Sequence, residues 1–89
     1  MIKEPIIIIN KLGLHARASA KLVNIASQFE STILLKKNDQ EISAKSIMSL
    51  LLLAASQGTP LEISAEGTDE QAAFLAVKTL INNRFDEES

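Results

Sequence analysis

The sequence of 89 residues contains no cysteine, a single histidine, and neither tryptophan nor tyrosine. Without cysteine, disulfide frameworks, thiolate metal sites and cysteine nucleophiles are excluded, and one histidine excludes a multi-histidine zinc site. Three phenylalanines and a net charge of −2 provide neither the aromatic platform nor the basic patch that nucleic acid binding requires. A carrier, an adaptor or a small binding module fits so short a chain better than an enzyme with its own deep cleft. We expect no cofactor and no bound metal ion.

Long hydrophobic runs are also missing. The most apolar stretch, residues 50–55, is far shorter than the roughly 20 residues that span a bilayer. Residues 1–5 place an acid and a proline where a signal peptide needs an apolar run. We therefore expect no membrane insertion and a cytoplasmic location. Because 46% of the residues are hydrophobic and no linker or repeat divides the chain, residues 1–89 are expected to form a single domain.

The hydrophobic pattern predicts the element order β-α-β-β-α-β-α. The predicted strands cover residues 6–9, 32–37, 41–44 and 61–66. The predicted helices begin at Ala16, after Ser46 and after Thr68. Helices mixed with mainly antiparallel strands favour an α+β fold, in which one sheet carries the helices on one face.

Local patterns at the two ends of the chain lead to further expectations. The four isoleucines at 6–9 require either that two of them face solvent or that something covers them. Since scattered exposed apolar residues are common, we expect a monomer. Thr68 and Gln71 form a capping-box signature around two acids that favour a helix N-terminus. The acidic tail, residues 86–89, is expected to be frayed and solvated.

The most unusual local sequence is Gly-Leu-His-Ala-Arg-Ala-Ser at 13–19, where the only histidine, His15, joins a glycine loop to a helix. The free N–H groups and the dipole of a helix N-terminus disfavour an imidazolium and favour an anion on or beside the ring. Arg17 adds a permanently charged fork for phosphate oxygens. These features suit a histidine that accepts a phosphoryl group reversibly. The alternative is that His15 only caps the helix and Arg17 is a solvated surface residue.

Three segments carry a resemblance to a known family: N-K-L-G-L-H-A-R-A-S-A at 10–20, A-K-S-I-M-S-L-L-L-L-A-A at 44–55, and S-A-E-G-T-D-E-Q-A at 64–72. In residues and spacing the chain resembles HPr, the histidine-containing phosphocarrier of the bacterial phosphoenolpyruvate-dependent phosphotransferase system. The resemblance implies an open-faced β-sandwich, a four-stranded antiparallel sheet with three helices on one face. It also implies transfer of a phosphoryl group from phospho-enzyme I to IIA-type domains, with sugar transport as the usual output.

The resemblance also implies roles for individual residues. His15 matches the phosphorylated histidine, modified on Nδ1, and Arg17 matches the arginine that steadies the phosphoryl group. Ser46 matches the serine that HPr kinase/phosphorylase modifies in many members, and it is also predicted to be a helix N-cap. Ala18 departs from the family, which usually has proline there. Its presence forgoes about 0.4–1 kcal/mol of pre-organisation and removes no catalytic atom.

The second helix is more hydrophobic than a single buried face requires, since eight of the nine residues from Ile47 to Ala55 are apolar. The resemblance implies that this helix and the N-terminus of the first helix form a docking surface for enzyme I and the downstream acceptors. We expect Ile47, Met48 and Leu51 to make partner contacts. Lys45 would add a positive rim toward acidic partners.

Three other functions are compatible with parts of the sequence. The nitrogen-related branch of the family would end at a regulatory acceptor and transport no sugar. A regulatory adaptor would act through serine phosphorylation and bind a transcription factor, but family members of that kind lack the active histidine, so His15 weighs against it. A generic ligand-binding module would need a pocket, which no pattern in the chain indicates.

Overall fold

The computed structural model describes residues 1–89 and confirms the predicted element order. The elements are β1 (Ile2–Ile7), α1 (Ala16–Ala26), β2 (Thr32–Lys37), β3 (Gln40–Ser43), α2 (Ile47–Leu53), β4 (Pro60–Glu66) and α3 (Glu70–Asn82), followed by a short turn (Arg84–Asp86). The strands form one antiparallel sheet in the order β1-β4-β2-β3. With its three helices the protein is the expected α+β open-faced sandwich. No helix combines the length and the apolar character needed to cross a membrane.

One face of the sheet supplies its half of the hydrophobic core. Leu35 lies opposite Ile63, and Ile33 lies opposite Ala65, all with fully buried side chains. The helices supply the other half, and α3 packs against β4 and β1. Because successive strand residues point to opposite faces, the alternation in β2 and β4 separates this core from the uncovered side of the sheet.

The isoleucine segment follows the same alternation. Ile6 and Ile8 are buried, whereas Ile7 and Ile9 are 53% and 37% exposed, which confirms that two of the four face solvent. The predicted bounds were wrong, because β1 begins at Ile2 and contains Pro5. A proline is tolerated there because β1 is an edge strand, so one side of its backbone has no neighbouring strand to receive an N–H.

The capping box predicted from Thr68 and Gln71 does not form. The Thr68 hydroxyl donates to a Glu30 carboxylate oxygen at 3.3 Å. Asp69 accepts hydrogen bonds from the Ser31 hydroxyl and from the backbone N–H groups of Glu30 and Ser31, at 2.9 and 3.0 Å for the two backbone bonds. These bonds hold the pKa of Asp69 below its ordinary value, and the bond from the Ser31 side chain has the largest effect. Asp69 therefore tethers the loop before β2 instead of capping the first turn of α3.

The C-terminal tail is solvated as expected at Asp86, Glu88 and Ser89, which are exposed, but Glu87 and the turn before it are held against the domain. Arg84, Phe85 and Asp86 all have positive φ, between 54° and 64°, and so form a left-handed turn. Such a conformation costs a non-glycine residue about 1–2 kcal/mol. The Phe85 side chain is fully buried in the core, and its carbonyl accepts a hydrogen bond from Lys21 Nζ at 2.8 Å. These contacts hold the turn and direct the following residue, Glu87, back toward α1.

Candidate functional site

The loop before α1 is pressed against the end of α2. Gly13 has φ +66°, and a Cβ at this position would lie 2.5 Å from the Ala55 carbonyl oxygen and 2.8 Å from Ser56 Cα. The adjacent Leu14 N–H donates to that same Ala55 oxygen at 2.9 Å. Glycine is therefore required both by the backbone angle and by the close approach. This contact fixes where α1 begins and so where His15 lies.

His15 occupies the N-cap position of α1 with an extended backbone. Its carbonyl accepts the first helical hydrogen bond, from Ser19 N–H at 2.9 Å, while the preceding amide hydrogens of the first turn have no partner within the helix. The ring makes no capping hydrogen bond, and the side chain is 27% exposed. A capping role for the imidazole, the plain structural alternative, is therefore not what the geometry shows. The ring remains available for chemistry.

Arg17 projects from the first turn of α1 as an exposed side chain that makes no hydrogen bond or ion pair within the chain. An open depression of about 440 Å³ separates this region from the tail. The depression is lined by Leu12, His15, Ala16, Arg17, Glu87 and Ser89. No group of three acidic or histidine side chains is arranged to hold a metal ion. Arg17 and the helix N-terminus supply the positive charge at this depression, and the Glu87 carboxylate lines it too.

A carboxylate from the tail reaches the histidine. Glu87 Oε2 contacts His15 Nε2, and Glu87 Oε1 accepts a hydrogen bond from Asn10 Nδ2 at 3.0 Å. Burial by itself would raise the pKa of Glu87. Hydrogen bonds from Asn10 and His15 and the nearby charges of His15 and Lys21 together lower the pKa by more than burial raises it, so the net shift is downward. Glu87 is therefore ionised at neutral pH. Sequence reasoning missed this contact because its partners are 72 residues apart.

Asn10, in the loop before α1, holds the Glu87 carboxylate in place. Its side chain is fully buried, and its Nδ2 also donates to the Gly13 carbonyl at 2.9 Å, while Oδ1 has no partner. Using both amide hydrogens fixes the direction of the side chain and aims one donor at Glu87. Asn10 opens the N-K-L-G-L-H segment, so the only signal in the sequence was its place in that motif.

Ser46 is the N-cap of α2, as predicted. Its hydroxyl oxygen accepts a hydrogen bond from Ser49 N–H at 3.3 Å, and its carbonyl accepts one from Leu50 N–H at 3.1 Å. Ser46 is half-buried, and its hydroxyl lies at the N-terminus of the helix. A covalent anion at this oxygen would meet favourable partial charges.

Apolar side chains remain exposed along α2 and the loop beside His15, as expected from the excess of hydrophobic residues. We call this set the apolar surface. It consists of Ile47 (39% exposed), Met48 (63%), Leu51 (37%), Leu52 (72%) and Leu12 (66%). The exposure of the first three was expected, whereas Leu52 and Leu12, the two most exposed of the set, were missed. A helix periodicity alone does not reveal which of four consecutive leucines faces outward.

Lys45, expected to add a positive rim toward acidic partners, already makes a hydrogen bond within the chain. Its Nζ donates to the Phe29 carbonyl oxygen at 2.8 Å, and the side chain is half-buried. Because the ammonium group is held by the loop after α1, its charge is present at the edge of the apolar surface but is not free to follow a partner.

Comparison with known proteins agrees with this geometry. Residues 2–83 match a family model described as "PTS HPr component phosphorylation site". The phosphocarrier protein HPr of Neisseria meningitidis serogroup A is 52% identical over 87 residues and is covered, like this chain, to 98%. The phosphocarrier protein NPr of Shewanella violacea is 38% identical over 88 residues, which cover 99% of this chain and 97% of that protein. A crystal structure of HPr-C-His from Thermoanaerobacter tengcongensis is 45% identical and matches with a TM-score of 0.96 over the full length of both chains.

The family model and the relatives cover nearly the whole chain, and the fold of the solved relative is the fold described above. The chain therefore belongs to the family of PTS HPr components, the phosphocarrier proteins of the phosphotransferase system.

Proposed function

We propose that this protein carries its phosphoryl group on His15, receives it from phospho-enzyme I and delivers it to a IIA-type domain. The observation that carries the proposal is the position of the only imidazole in the chain. It lies at a helix N-terminus, is partly exposed, makes no capping bond and lines the same depression as Arg17, which has no partner within the chain. A neutral ring nitrogen in this place can attack phosphorus while donors for the phosphoryl oxygens are already in position.

The work of the site is mainly positioning and charge stabilisation. On a phosphorylated His15, the first N–H groups of α1 and the Arg17 guanidinium would stabilise the negative charge of the transferred group. Neither group has to be recruited from another contact, since Arg17 has no partner within the chain. The protein acts as a carrier, and the free protein is expected to turn over no substrate.

We further propose that enzyme I and the IIA-type acceptor dock on the apolar surface. Its exposed side chains flank the phosphorylation site through Leu12 and extend along α2 through Ile47, Met48, Leu51 and Leu52. One surface shared by donor and acceptor allows only one partner at a time, as a carrier requires. Apolar contacts there would supply affinity without requiring many charged residues on the partner.

Ser46 is proposed as a regulatory site modified by a kinase of the HPr kinase/phosphorylase type. Phosphate on Oγ would keep the hydrogen bond from Ser49 N–H and add about −1.5 to −2 charges at the helix N-terminus. The fold would be preserved, because a helix N-terminus favours negative charge. The new charge would stand beside Ile47 and Met48 and would weaken docking of an acidic partner.

Between the two branches of the family, the higher identity to the relative named HPr, 52% against 38% for the one named NPr, favours the sugar-type carrier. The presence of an accessible histidine supports a carrier over a regulatory adaptor.

The proposal is tested by intact-mass spectrometry after incubation with phosphoenolpyruvate, magnesium and enzyme I. We expect a gain of one phosphoryl group, which is lost on brief acid treatment. His15→Ala should show no gain. Because it also removes the contact between the ring and Glu87, thermal unfolding checks that the variant is folded. An undiminished, acid-labile gain in His15→Ala would refute the assignment of the site.

A further inference from the structure

We propose that Glu87 is a positioning residue for phosphoryl transfer, which holds the imidazole proton of His15 on Nε2 and so presents Nδ1 with its lone pair free. The inference rests on the carrier role of His15 proposed above. It assigns a function to the C-terminal tail, which the motif around the histidine does not include.

The hydrogen-bond network leaves the carboxylate one role toward the ring. An ionised carboxylate only accepts hydrogen bonds. Its Oε1 is taken by Asn10 Nδ2 at 3.0 Å, and its Oε2 faces His15 Nε2. The ring must therefore donate, so Nε2 carries the hydrogen. In a neutral imidazole this leaves Nδ1 as the bare nitrogen.

The structure holds this carboxylate in place from several sides. Asn10 is fully buried and its amide direction is fixed by the Gly13 carbonyl at 2.9 Å. The tail is anchored by the buried Phe85 ring and by Lys21, which donates to the Phe85 carbonyl at 2.8 Å and lies 3.9 Å from Asp86. Three successive left-handed residues turn the chain back. Non-glycine residues keep such angles only where surrounding contacts enforce them. The turn places Glu87, with a side chain only 15% exposed, against the ring.

The chemistry of transfer uses this arrangement in both directions. The Nδ1 lone pair forms the bond to phosphorus while the bond from phosphorus to the donor breaks, and its electron pair returns to the donor. The proton stays on Nε2, so the ring acquires a positive charge in the transition state, which the carboxylate of Glu87 balances. When the phosphoryl group leaves for the acceptor, the bond electrons return to Nδ1 and the ring is neutral again. No proton has to enter or leave during either step.

Glu87→Gln is the diagnostic variant because it is isosteric and its amide has one acceptor and one donor. Asn10 Nδ2 selects the amide oxygen of the new side chain, which turns the amide N–H₂ toward the ring. Nε2 would then have to accept, and the proton would move to Nδ1, the proposed nucleophile. Glu88→Gln is the matched control, since it removes the same charge from an exposed neighbour that has no partner within the chain.

The tautomer is read by long-range ¹H–¹⁵N NMR of the unphosphorylated protein above pH 8, where one histidine gives one unambiguous set of signals. We expect protonated Nε2 in the parent and in Glu88→Gln, and a shift of the proton toward Nδ1 in Glu87→Gln. The rate of phosphoryl acceptance from phospho-enzyme I should fall about 10- to 100-fold in Glu87→Gln, the range expected for a hydrogen bond to a charged group, and should be unchanged in Glu88→Gln. Thermal unfolding checks that both variants are folded.

An unchanged tautomer in Glu87→Gln, or an unchanged rate of acceptance, overturns the assignment of Glu87 while leaving His15 as the phosphorylated residue. A parent protein that accepts no phosphoryl group overturns the carrier proposal itself. The two failures are therefore distinguishable.

Discussion

The contact at Gly13 allows a prediction whose magnitude follows from the structure. Alanine at φ +66° costs about 1–2 kcal/mol relative to glycine. Its Cβ would also overlap the Ala55 carbonyl oxygen and Ser56 Cα, both backbone atoms that cannot rotate away, at a further cost of about 1–3 kcal/mol. Relieving this overlap moves the loop away from Ala55 and weakens the hydrogen bond between Leu14 and Ala55, which contributes about 1 kcal/mol. We expect Gly13→Ala to lower the free energy of unfolding by about 3–6 kcal/mol, the sum of these contributions.

Gly58 provides the control for this experiment. It also has a positive φ, +88°, but a Cβ there would meet no atom within 4 Å. Gly58→Ala should therefore show only the conformational cost, about 1–2 kcal/mol. Urea unfolding of both variants separates the two contributions, and thermal unfolding of Gly13→Ala should show a Tm lower by about 12 °C or more. Equal losses in the two variants would show that the α1 loop is not packed against the end of α2 as described.

Two further predictions concern Ser46 and Asp69. Ser46→Asp keeps a capping acceptor, so it should stay folded but accept a phosphoryl group more slowly, whereas Ser46→Ala should lose about 1 kcal/mol of stability without that slowing; equal acceptance by Ser46→Asp and the parent would leave Ser46 as a cap alone. The hydrogen bonds from Ser31 and Glu30 lower the pKa of folded Asp69 below its ordinary value of 3.8. They therefore stabilise the folded protein at pH values above 3.8, and this stabilisation is lost as the pH falls through the pKa of the folded state. The Tm difference between the parent and Asp69→Asn should therefore be largest above pH 5 and shrink below pH 4, and a difference independent of pH would contradict this role.

Local sequence patterns were sufficient for most of the fold. The alternation of apolar and polar residues in β2 and β4, the serine ahead of α2 and the glycine before His15 all indicate structure within a few residues of themselves. A histidine followed by an arginine at a helix start likewise brings an imidazole, a helix N-terminus and a cation together by local geometry, and the resemblance of this segment to HPr supplied the roles proposed for them. This is why His15, Arg17 and the cap at Ser46 could be named before any contact was known.

Several differences from expectation have a common physical origin, because each concerns a polar group whose partner is distant in the chain. Asp69 is a residue type typical of helix caps and occupies the N-cap position of α3, yet its carboxylate accepts hydrogen bonds from Ser31, 38 residues earlier. Lys45 is a residue type typical of the solvated surface, yet its ammonium group donates to a backbone carbonyl. Polar side chains bond to whichever donor or acceptor the packing brings near, and the sequence pattern carries no record of that choice.

The tail shows most clearly what tertiary structure alone decided. By composition residues 86–89 are solvated, and the sequence by itself determined only that a phenylalanine precedes them. Burial of Phe85 in the hydrophobic core, together with Lys21 from α1, holds a left-handed turn that local preferences disfavour. The turn brings Glu87 to a histidine 72 residues away. Hydrophobic periodicity determined the helices and strands, and the local motif determined that the histidine lies at the start of a helix. The free energy of packing decided which carboxylate contacts that histidine.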